Sequence, residues 1–270
     1  MTMTTATKVG IAPTDRHPRL NVLGVGVSAI TQEIALDTIR GWIARDEQHF
    51  VTVTGVHGVM ESQRDAQLRR IHNRAGMVTP DGMPLVWLLR RNGYPHASRV
   101  YGPDLMLNVC SASSGAGWKH YLYGSTPDVL TDLQAALEHR FPDLHIVGSF
   151  SPPFRPLTPE EDEDVVARID ASGADIVWVG LSTPRQEHWM AAHIGRVHAS
   201  VLIGVGAAFD FHAGRKKQAP AWMQRHGLEW LFRLATEPRR LWKRYLRNNP
   251  LFVVSVLRQR MGLRRYTLDE

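Results

Sequence analysis

The sequence predicts an α/β protein with a mostly parallel sheet, helices on both faces, and a helical C-terminal appendage. Segments of strand-like and helix-like pattern alternate regularly between about residues 20 and 213. The strand segments are continuous apolar runs, as expected for strands buried on both faces of a parallel sheet. After about Gly214 the alternation stops. We therefore expect a loose polar tail over residues 1–19, a main domain over 20–213, and an appendage over 214–270.

The first half of the main domain contains three apolar runs, each followed by helical spacing. Thr31 is suited to cap the first helix, because its hydroxyl can accept a hydrogen bond from a free backbone amide of the first turn. Pro80 and Gly82 end the third run in a sharp turn. We expect strands at 21–27, at 50–54 and in a short run ending at Pro80. We expect one helix at 31–45, a second helical stretch that includes Val59, Leu68 and Ile71, and a third helix from Met83 to about Arg90.

The second half of the main domain repeats the alternation. Thr158, Pro159 and Glu161 form a capping box with proline at the first helical position, which marks the start of a helix. In the appendage, Pro220, Pro238 and Pro250 are expected to break helices. We expect strands at 120–123, 145–150, 174–179 and 200–205, helices from Tyr101, at 128–141 and from Thr158 to about Ser172, and a proline-rich loop at 151–156.

Composition narrows the class of protein. A hydrophobic content of 43% with 21% charged residues is typical of a globular protein. The single cysteine, Cys110, excludes an internal disulfide and a cysteine-based zinc cluster, and favours a reducing compartment. The Thr-rich start lacks the apolar core of a signal peptide, and the chain lacks the roughly 18-residue apolar run that a membrane span requires.

The charge is distributed unevenly. Between Arg215 and Arg265 there are fourteen lysines and arginines against two acids, a net of +12 in a chain whose total is +6. The rest of the chain therefore carries a net charge of −6, since 6 − 12 = −6. Such asymmetry indicates a phosphate-rich partner, either nucleic acid or an anionic membrane surface.

One carboxylate stands at the end of the third strand, in the turn Pro80-Asp81-Gly82. In open α/β sheets, ligands bind at the carboxyl ends of the strands. Asp81 is therefore a candidate functional residue. Spacing alone favours a structural alternative, in which Asp81 caps the following helix.

Several other predicted strands end in glycine, which allows backbone amides to approach a phosphate at a helix N-terminus. Together these turns suggest a nucleotide or phosphosugar site. Gly24-Val25-Gly26 and Gly204-Val205-Gly206 are only partial dinucleotide fingerprints, since neither has the third glycine at the required spacing. The glycines concerned are Gly55, Gly82, Gly124, Gly180, Gly204 and Gly206.

The segment after Gly180 carries Gln186 and Glu187. Gln186 is suited to hydrogen-bond a base or sugar, and Glu187 to act as an acid/base or hold a ribose. The alternative, that these residues only begin a helix, is about equally supported. Asp162 and Asp164 resemble a metal-binding Asp-x-Asp pair, but they lie where acids favour a helix N-terminus. The histidines show no metal-ligand spacing, so we expect no metal site.

The appendage interleaves aromatic residues with arginines. This composition suits a helix at an anionic lipid surface, and arginine also binds diphosphate in a bidentate manner. An ordinary packed amphipathic helix and a nucleic-acid-binding segment are the alternatives. The residues are Trp222, Trp230, Phe232, Trp242, Tyr245, Leu246 and Phe252, with Arg225, Arg233, Arg239, Arg240, Lys243, Arg244 and Arg247.

An ordered set of motifs over about residues 20–250 resembles the WecG/TagA/CpsF family of bacterial glycosyltransferases. The motifs are Thr79-Pro80-Asp81-Gly82-Met83-Pro84, Gly102-Pro103-Asp104-Leu105, Tyr123-Gly124, the run from Val179 to Glu187, Gly204-Val205-Gly206-Ala207-Ala208-Phe209-Asp210, and segments between Gln218 and Arg240.

The resemblance implies a Rossmann-like sheet and a metal-independent, inverting transferase without a cofactor. It moves a sugar from a UDP-sugar to a polyprenyl-diphosphate-linked saccharide, on the inner face of the cytoplasmic membrane. In this interpretation Asp81 is the general base and Gln186 a second active-site residue. Gly124, Gly180, Glu187, Gly206 and Asp210 bind substrate, and Arg233, Arg239, Arg240 and Arg244 contact the lipid diphosphate.

The chain departs from the family pattern at one turn. Many members have a Thr-x-Asn sequence where this chain has Gly55, with Thr52, Thr54 and His57 as neighbouring candidates for substrate contact.

Our hypothesis from the sequence is a peripheral, cytoplasmic UDP-sugar transferase of exopolysaccharide or cell-surface glycan synthesis that does not bind nucleic acid. A homo-oligomer is compatible with the sequence, and the donor sugar and acceptor stay open. The alternatives are a nucleotide-dependent oxidoreductase and a basic nucleic-acid-binding protein.

Overall fold

A computed structural model of the protein describes residues 17–268. Its main sheet has six strands in the order β4-β3-β8-β7-β5-β6, and every neighbouring pair is parallel. The strands are β3 (His49–Thr54), β4 (Met77–Pro80), β5 (Lys119–Gly124), β6 (His145–Phe150), β7 (Ile176–Gly180) and β8 (Val201–Gly204), and a separate antiparallel pair is formed by β1 (Arg19–Val22) and β2 (Val25–Ser28).

Helices cover both faces of this sheet, and each face has its own apolar core. The helices are α1 (Gln32–Ala44), α2 (Val56–Glu61), α3 (Ala66–Arg74), α4 (Met83–Arg91), α5 (Gly102–Ala116), α6 (Pro127–Arg140), α7 (Pro159–Ser172), α8 (Arg185–His193) and α9 (Ala208–His212). One core contains side chains from α1, α5, α6 and α9. The other contains side chains from α2, α3, α4, α7 and α8. The predicted Rossmann-like α/β class is confirmed.

The appendage is helical and packs on the main domain. It consists of α10 (Ala221–Arg225), α11 (Glu229–Thr236) and α12 (Pro238–Arg260). Phe252 joins one of the two cores, and Leu241 is fully buried. The predicted break at Pro250 is wrong, because Pro250 lies inside α12. Proline removes one backbone donor from a helix, and both Pro250 and Leu246, four residues earlier, are exposed, so water can satisfy the freed carbonyl.

The N-terminal part of the chain departs from the prediction in two places. The expected strand 21–27 is instead a hairpin, with Leu23 at φ 53° and Gly24 at φ 86° in the turn. The expected single helical stretch through Val59, Leu68 and Ile71 is divided into α2 and α3, because the Asp65 side chain caps α3 by accepting from two backbone amides.

The caps predicted at Thr31 and Thr158 are confirmed. The Thr31 hydroxyl accepts from the Ile34 amide, and α7 begins with the capping box of Thr158 and Glu161. Residues 1–16 of the predicted tail lie outside the described residues, and Arg19 already belongs to β1.

Candidate active site

A cavity of about 740 Å³ opens at the carboxyl ends of the sheet strands and is covered by the appendage. Residues after β3, β4, β7 and β8 line one side, and residues of α10, α11 and α12 line the other. Of the residues predicted from the sequence, it brings together Gly55, His57, Asp81, Gln186, Gly206, Asp210, Arg233, Arg240 and Arg244.

Asp81 lies in this cavity immediately after β4. Its backbone amide donates to the Thr54 carbonyl (3.0 Å), which continues the pairing of β4 with β3. The N-cap of α4 is Gly82, and no side chain caps that helix, so the interpretation of Asp81 as a helix cap is wrong. Asp81 Oδ1 is shielded from solvent and has no hydrogen-bond partner in the part of the chain that is described.

The surroundings of Asp81 make it an unusually strong base for an aspartate. Burial raises the pKa of its carboxyl to about 6, because the charged form loses hydration. The cations Arg99 and Arg233 and a hydrogen bond from the Gly102 amide act in the opposite direction, while the negative charge of Glu229 adds to the increase. A carboxylate with this pKa is ionised at neutral pH and can accept a proton.

Arg99 and Glu229 are functional candidates that the sequence did not reveal. The Arg99 Nε donates to the Asp81 carbonyl oxygen, and one terminal nitrogen pairs with Glu229 in α11. Tyr101 donates its hydroxyl to the other Glu229 oxygen (3.2 Å). The two contacts to Glu229 join residues about 130 positions apart, so local spacing could not indicate them. Glu229 lies in one of the segments that carry the family resemblance, but that segment did not indicate a contact with Arg99.

Gln186 lines the cavity from the first turn of α8, and Glu187 lies behind it. The buried Glu187 carboxylate accepts from the Thr183 hydroxyl (2.8 Å) and from the Gln186 side-chain amide (3.1 Å). Burial raises the pKa of Glu187. Because the Gln186 nitrogen is held by Glu187, its buried oxygen is left without a partner within residues 17–268, and it lies near Gly206 in the cavity wall.

The turn after β3 places Gly55 beside the candidate base. A Cβ on Gly55 would lie 3.7 Å from Asp81 Oδ2, which is ordinary contact distance. His57, in α2, faces the same cavity and is near the Asn248 amide (3.3 Å). Burial lowers the pKa of His57 to about 3, with further lowering by Arg244, Arg64 and Arg233, so the ring is neutral at physiological pH.

Thr52 and Thr54 lie beneath this turn, away from the cavity. Both hydroxyls are buried and contact His72 Nδ1, at 3.0 and 3.3 Å. The structure therefore places these two predicted contact residues where they support β3 and α3. Of the four residues predicted in this segment, Gly55 and His57 line the cavity and the two threonines do not.

Gly124 and Gly180 are close-packing positions. A Cβ on Gly124, whose φ is 123°, would lie 2.7 Å from the Gly180 backbone, and one on Gly180 would lie 2.6 Å from the Phe209 ring. Neither lines the cavity, unlike Gly206. These two strand ends are glycine because neighbouring strand and helix approach closely there.

Cations dominate the appendage side of the cavity. The Nε atoms of Arg233 and Arg244 are buried and have no partner among the residues described. Burial lowers the pKa of Arg244, and the neighbouring arginines Arg233 and Arg240 lower it further. Arg240 pairs with Glu237 (2.6 Å), whereas Arg239 is exposed and outside the cavity lining. Two buried guanidinium nitrogens without partners form a site suited to a diphosphate.

Two further predictions concern acids and metals. Asp210 lines the cavity but pairs with Lys216 (3.0 Å), so its charge is already balanced. Asp162 accepts from Arg196 and contacts His193, in agreement with a structural role in the first turn of α7. Within residues 17–268 there is no group of three or more histidine, cysteine or acidic side chains that could hold a metal ion.

Comparison with protein families identifies a family for this chain. The model of the glycosyl transferase WecG/TagA/CpsF family matches residues 20–266. The matched region includes the whole sheet, the Asp81 turn and the arginine-rich helices of the appendage. The match confirms the family resemblance inferred from the motifs.

Proposed function

This chain belongs to the WecG/TagA/CpsF glycosyl transferase family, and from that premise we propose that it transfers a sugar from a UDP-sugar to a polyprenyl-diphosphate-linked saccharide. The family supports transferase activity in cell-surface glycan synthesis. The UDP donor, the lipid-linked acceptor, inversion at the anomeric carbon, independence from metal and attachment to the inner face of the cytoplasmic membrane are parts of the proposal.

The observation that carries the proposal is that one cavity contains both a carboxylate suited to act as a base and two half-buried arginines. One carboxylate oxygen of Asp81 has no hydrogen-bond partner in the described structure. The Nε atoms of Arg233 and Arg244 also lack one. A carboxylate suits proton removal from an attacking hydroxyl. Buried guanidinium groups suit stabilisation of diphosphate charge without a metal. Sugar transfer from a nucleotide diphosphate needs both.

The proposed reaction is a single displacement. The acceptor hydroxyl oxygen attacks the anomeric carbon as Asp81 takes its proton, and a new glycosidic bond forms. The bond between the anomeric carbon and the diphosphate oxygen breaks, and its electron pair leaves with UDP. One displacement inverts the anomeric configuration. Gln186, whose free oxygen is an acceptor, is placed to receive a hydrogen bond from a donor hydroxyl or imide.

The cavity continues into an apolar region between α4 and α12. Trp87, Leu88, Phe252, Val256 and Leu257 line it, close to the cation-rich part. This continuity fits an acceptor that is anionic at one end and apolar along the rest. Ligand sites are usually mainly apolar with a few placed polar groups, and this cavity has that character.

The outer surface of the appendage supports membrane association. Large apolar side chains are exposed beside basic ones, a composition that suits an interfacial helix on anionic lipid. No helix in the described part of the chain is long and apolar enough to cross a bilayer. The exposed residues of the appendage that lie outside the cavity lining are Trp222, Leu231, Trp242, Leu246, Leu251, Val254, Met261 and Leu263.

The central test is a transfer assay with a panel of radiolabelled nucleotide sugars and a short-chain prenyl-diphosphate saccharide. We expect one UDP-sugar to be consumed, and Asp81→Asn to reduce turnover at least a thousandfold while UDP binding by calorimetry is retained. Turnover near that of the wild type in Asp81→Asn would reject the assignment of the base. Turnover unchanged by EDTA and an inverted product by NMR would support the metal-independent displacement, and the opposite results would reject it.

The cation assignment has a matched control within one helix. Arg244→Met is expected to weaken UDP or pyrophosphate binding, whereas Arg239→Met, which changes an exposed side chain, is expected to have little effect. Equal losses in both variants would indicate a general effect of charge. For membrane association, flotation with anionic vesicles is expected, without flotation on neutral vesicles. Retention on DNA instead would favour the nucleic-acid alternative.

The oxidoreductase alternative gains no support from the first of the two partial glycine fingerprints. Gly24-Val25-Gly26 lies in the β1–β2 hairpin and does not connect a strand to a helix, as a dinucleotide-binding loop must. We expect UDP to raise the melting temperature of this protein and NAD to leave it unchanged, because a ligand stabilises a protein only if its folded state binds that ligand.

A further inference from the structure

Glu229 connects the appendage to the main domain at the edge of the active site. It is the first residue of α11. One carboxylate oxygen pairs with Arg99, and the other accepts from the Tyr101 hydroxyl. The side chains of Arg99 and Glu229 are only 15% and 16% exposed, so this is a largely buried ion pair. Such pairs interact more strongly than surface pairs because water screens them less.

Arg99 is fixed by contacts from all three of its nitrogens. Nε donates to the Asp81 carbonyl, one terminal nitrogen donates to Gln224 in α10 (2.9 Å), and the other pairs with Glu229. The guanidinium carbon also lies 3.8 Å from the centre of the Tyr101 ring. Two of the three partners belong to the appendage. The position of Arg99 beside Asp81 therefore depends on α10 and α11 being docked.

The charges around Asp81 come from several elements. Arg99 and Tyr101 precede α5, Glu229 and Arg233 belong to α11, and the neutral His57 belongs to α2, with Arg244 of α12 in the same cavity. The two nearby cations favour the ionised form of Asp81, and Glu229 opposes them. Asp104 of α5 also interacts with Arg99 and Glu229. Without Glu229, Arg99 would lose the counter-charge that it contacts directly, and Asp81 would hold a proton less well.

We propose that Glu229 is a positioning residue, which holds Arg99 against the Asp81 backbone and neutralises it, so that Asp81 is an effective base only while α10 and α11 are docked. The proposal rests on the proposed function in treating Asp81 as the base. It assigns to the appendage a second task besides supplying cations. Docking of the appendage completes the electrostatic surroundings of a residue that belongs to the main domain.

The direct test is the titration of Asp81, followed by NMR of carboxyl carbons in protein labelled at aspartate, with Asp81→Asn identifying the signal. Glu229→Gln is expected to lower the titration midpoint by about one pH unit, since a cation nearby then lacks its counter-charge. The double variant Arg99→Gln/Glu229→Gln is expected to bring the midpoint back to the wild-type value or above. Glu163→Gln, which removes an exposed partner of Arg196 outside the cavity, is the matched control and should leave the midpoint unchanged.

The double variant separates neutralisation from simple loss of structure. If Glu229 served only to attach the appendage, both variants would hydrate Asp81 and both midpoints would fall. That result, or an unchanged midpoint in Glu229→Gln, would overturn the proposal. If the double glutamine variant does not fold, the apolar pair Arg99→Met/Glu229→Met replaces it, because apolar substitution of a buried ion pair is often tolerated.

Kinetics provide a second measurement. In Glu229→Gln the acid limb of the kcat/KM profile is expected to move to lower pH, with the plateau reduced about tenfold and KM for the UDP-sugar changed less. An unmoved acid limb would contradict the proposal. The NMR titration needs no turnover. If the wild type transfers no sugar, the proposed function fails, while the titration still decides the role of Glu229 toward Asp81.

Discussion

Replacing Asp81 by asparagine should stabilise the protein, and the gain should depend on pH. The pKa of Asp81 is raised to about 6 in the folded protein, against about 3.9 in an unfolded chain. Between these values the folded state binds a proton that the unfolded state has released. Ionisation of Asp81 therefore costs folding free energy that is absent below about pH 4 and complete above about pH 6.

The size of the effect follows from the shift. A difference of about 2 pKa units corresponds to about 3 kcal/mol at pH 8, and to about half of that at pH 5, where the folded carboxyl is mostly protonated. For a chain of this length, about 3 kcal/mol corresponds to a rise of roughly 6–10 °C in Tm. Asparagine introduces its own unpaired groups, but their cost is the same at both pH values and cancels in the comparison.

The assay is thermal or urea unfolding of the wild type and Asp81→Asn at pH 5 and pH 8. Asp143→Asn, which changes an exposed residue between α6 and β6, is the control for removal of one negative charge. We expect the advantage of Asp81→Asn over the wild type to be about twice as large at pH 8 as at pH 5. An advantage independent of pH, or a variant less stable than the wild type by more at pH 8, would refute the reasoning.

Three further predictions concern packing and charge. Gly180→Ala should lose about 1–3 kcal/mol of unfolding free energy, because its Cβ would overlap the Phe209 ring. The control Gly115→Ala, which has open space around it in α5, should be neutral or gain up to about 1 kcal/mol. Equal changes of Tm in the two variants would contradict the packing argument. Gly55→Asn should fold normally, because a Cβ at this position has room beside Asp81. Its free energy of unfolding should rise by a few tenths of a kcal/mol, because asparagine is a better N-cap for α2 than glycine. A large fall in Tm would show that the space beside Asp81 is not available. Arg244→Leu should raise Tm, because it removes a buried Nε that has no hydrogen-bond partner in the described structure. It should weaken pyrophosphate binding by about 10- to 100-fold in calorimetry. Unchanged binding would exclude Arg244 from the diphosphate site.

Most strands and helices of the main domain could be predicted because their boundaries are local. Thr31, Thr158 and Glu161 act on backbone groups within three residues, and apolar runs alone identify strands buried on both faces. The β1–β2 hairpin could not be predicted in this way. Leu23 has no intrinsic preference for positive φ, and its turn is held by Gln259 and Gln63, which are remote in sequence.

A residue of the candidate site could be predicted from the sequence only where its own type and position indicated a role. Asp81 stood out because a lone carboxylate followed an apolar run. The glycine-terminated strands indicated the edge of the sheet at which the cavity opens, but they did not distinguish roles, since Gly206 lines the cavity while Gly124 and Gly180 are required for close packing. Whether a glycine serves a ligand or a neighbouring strand depends on what lies opposite it, and that is a property of the folded chain.

The contacts between the main domain and the appendage explain why the rest of the site could not be predicted. The helices α10 and α11 contain no fully buried side chain, so apolar periodicity carries little information about their packing. They are held to the main domain at the active site by polar contacts, chiefly those of Arg99 with Gln224 and Glu229. Polar contacts cost desolvation and contribute little net free energy, so they specify geometry more than they stabilise it. The same contacts set the charge beside Asp81, and for this reason the strength of the base and the docking of the appendage are expected to change together.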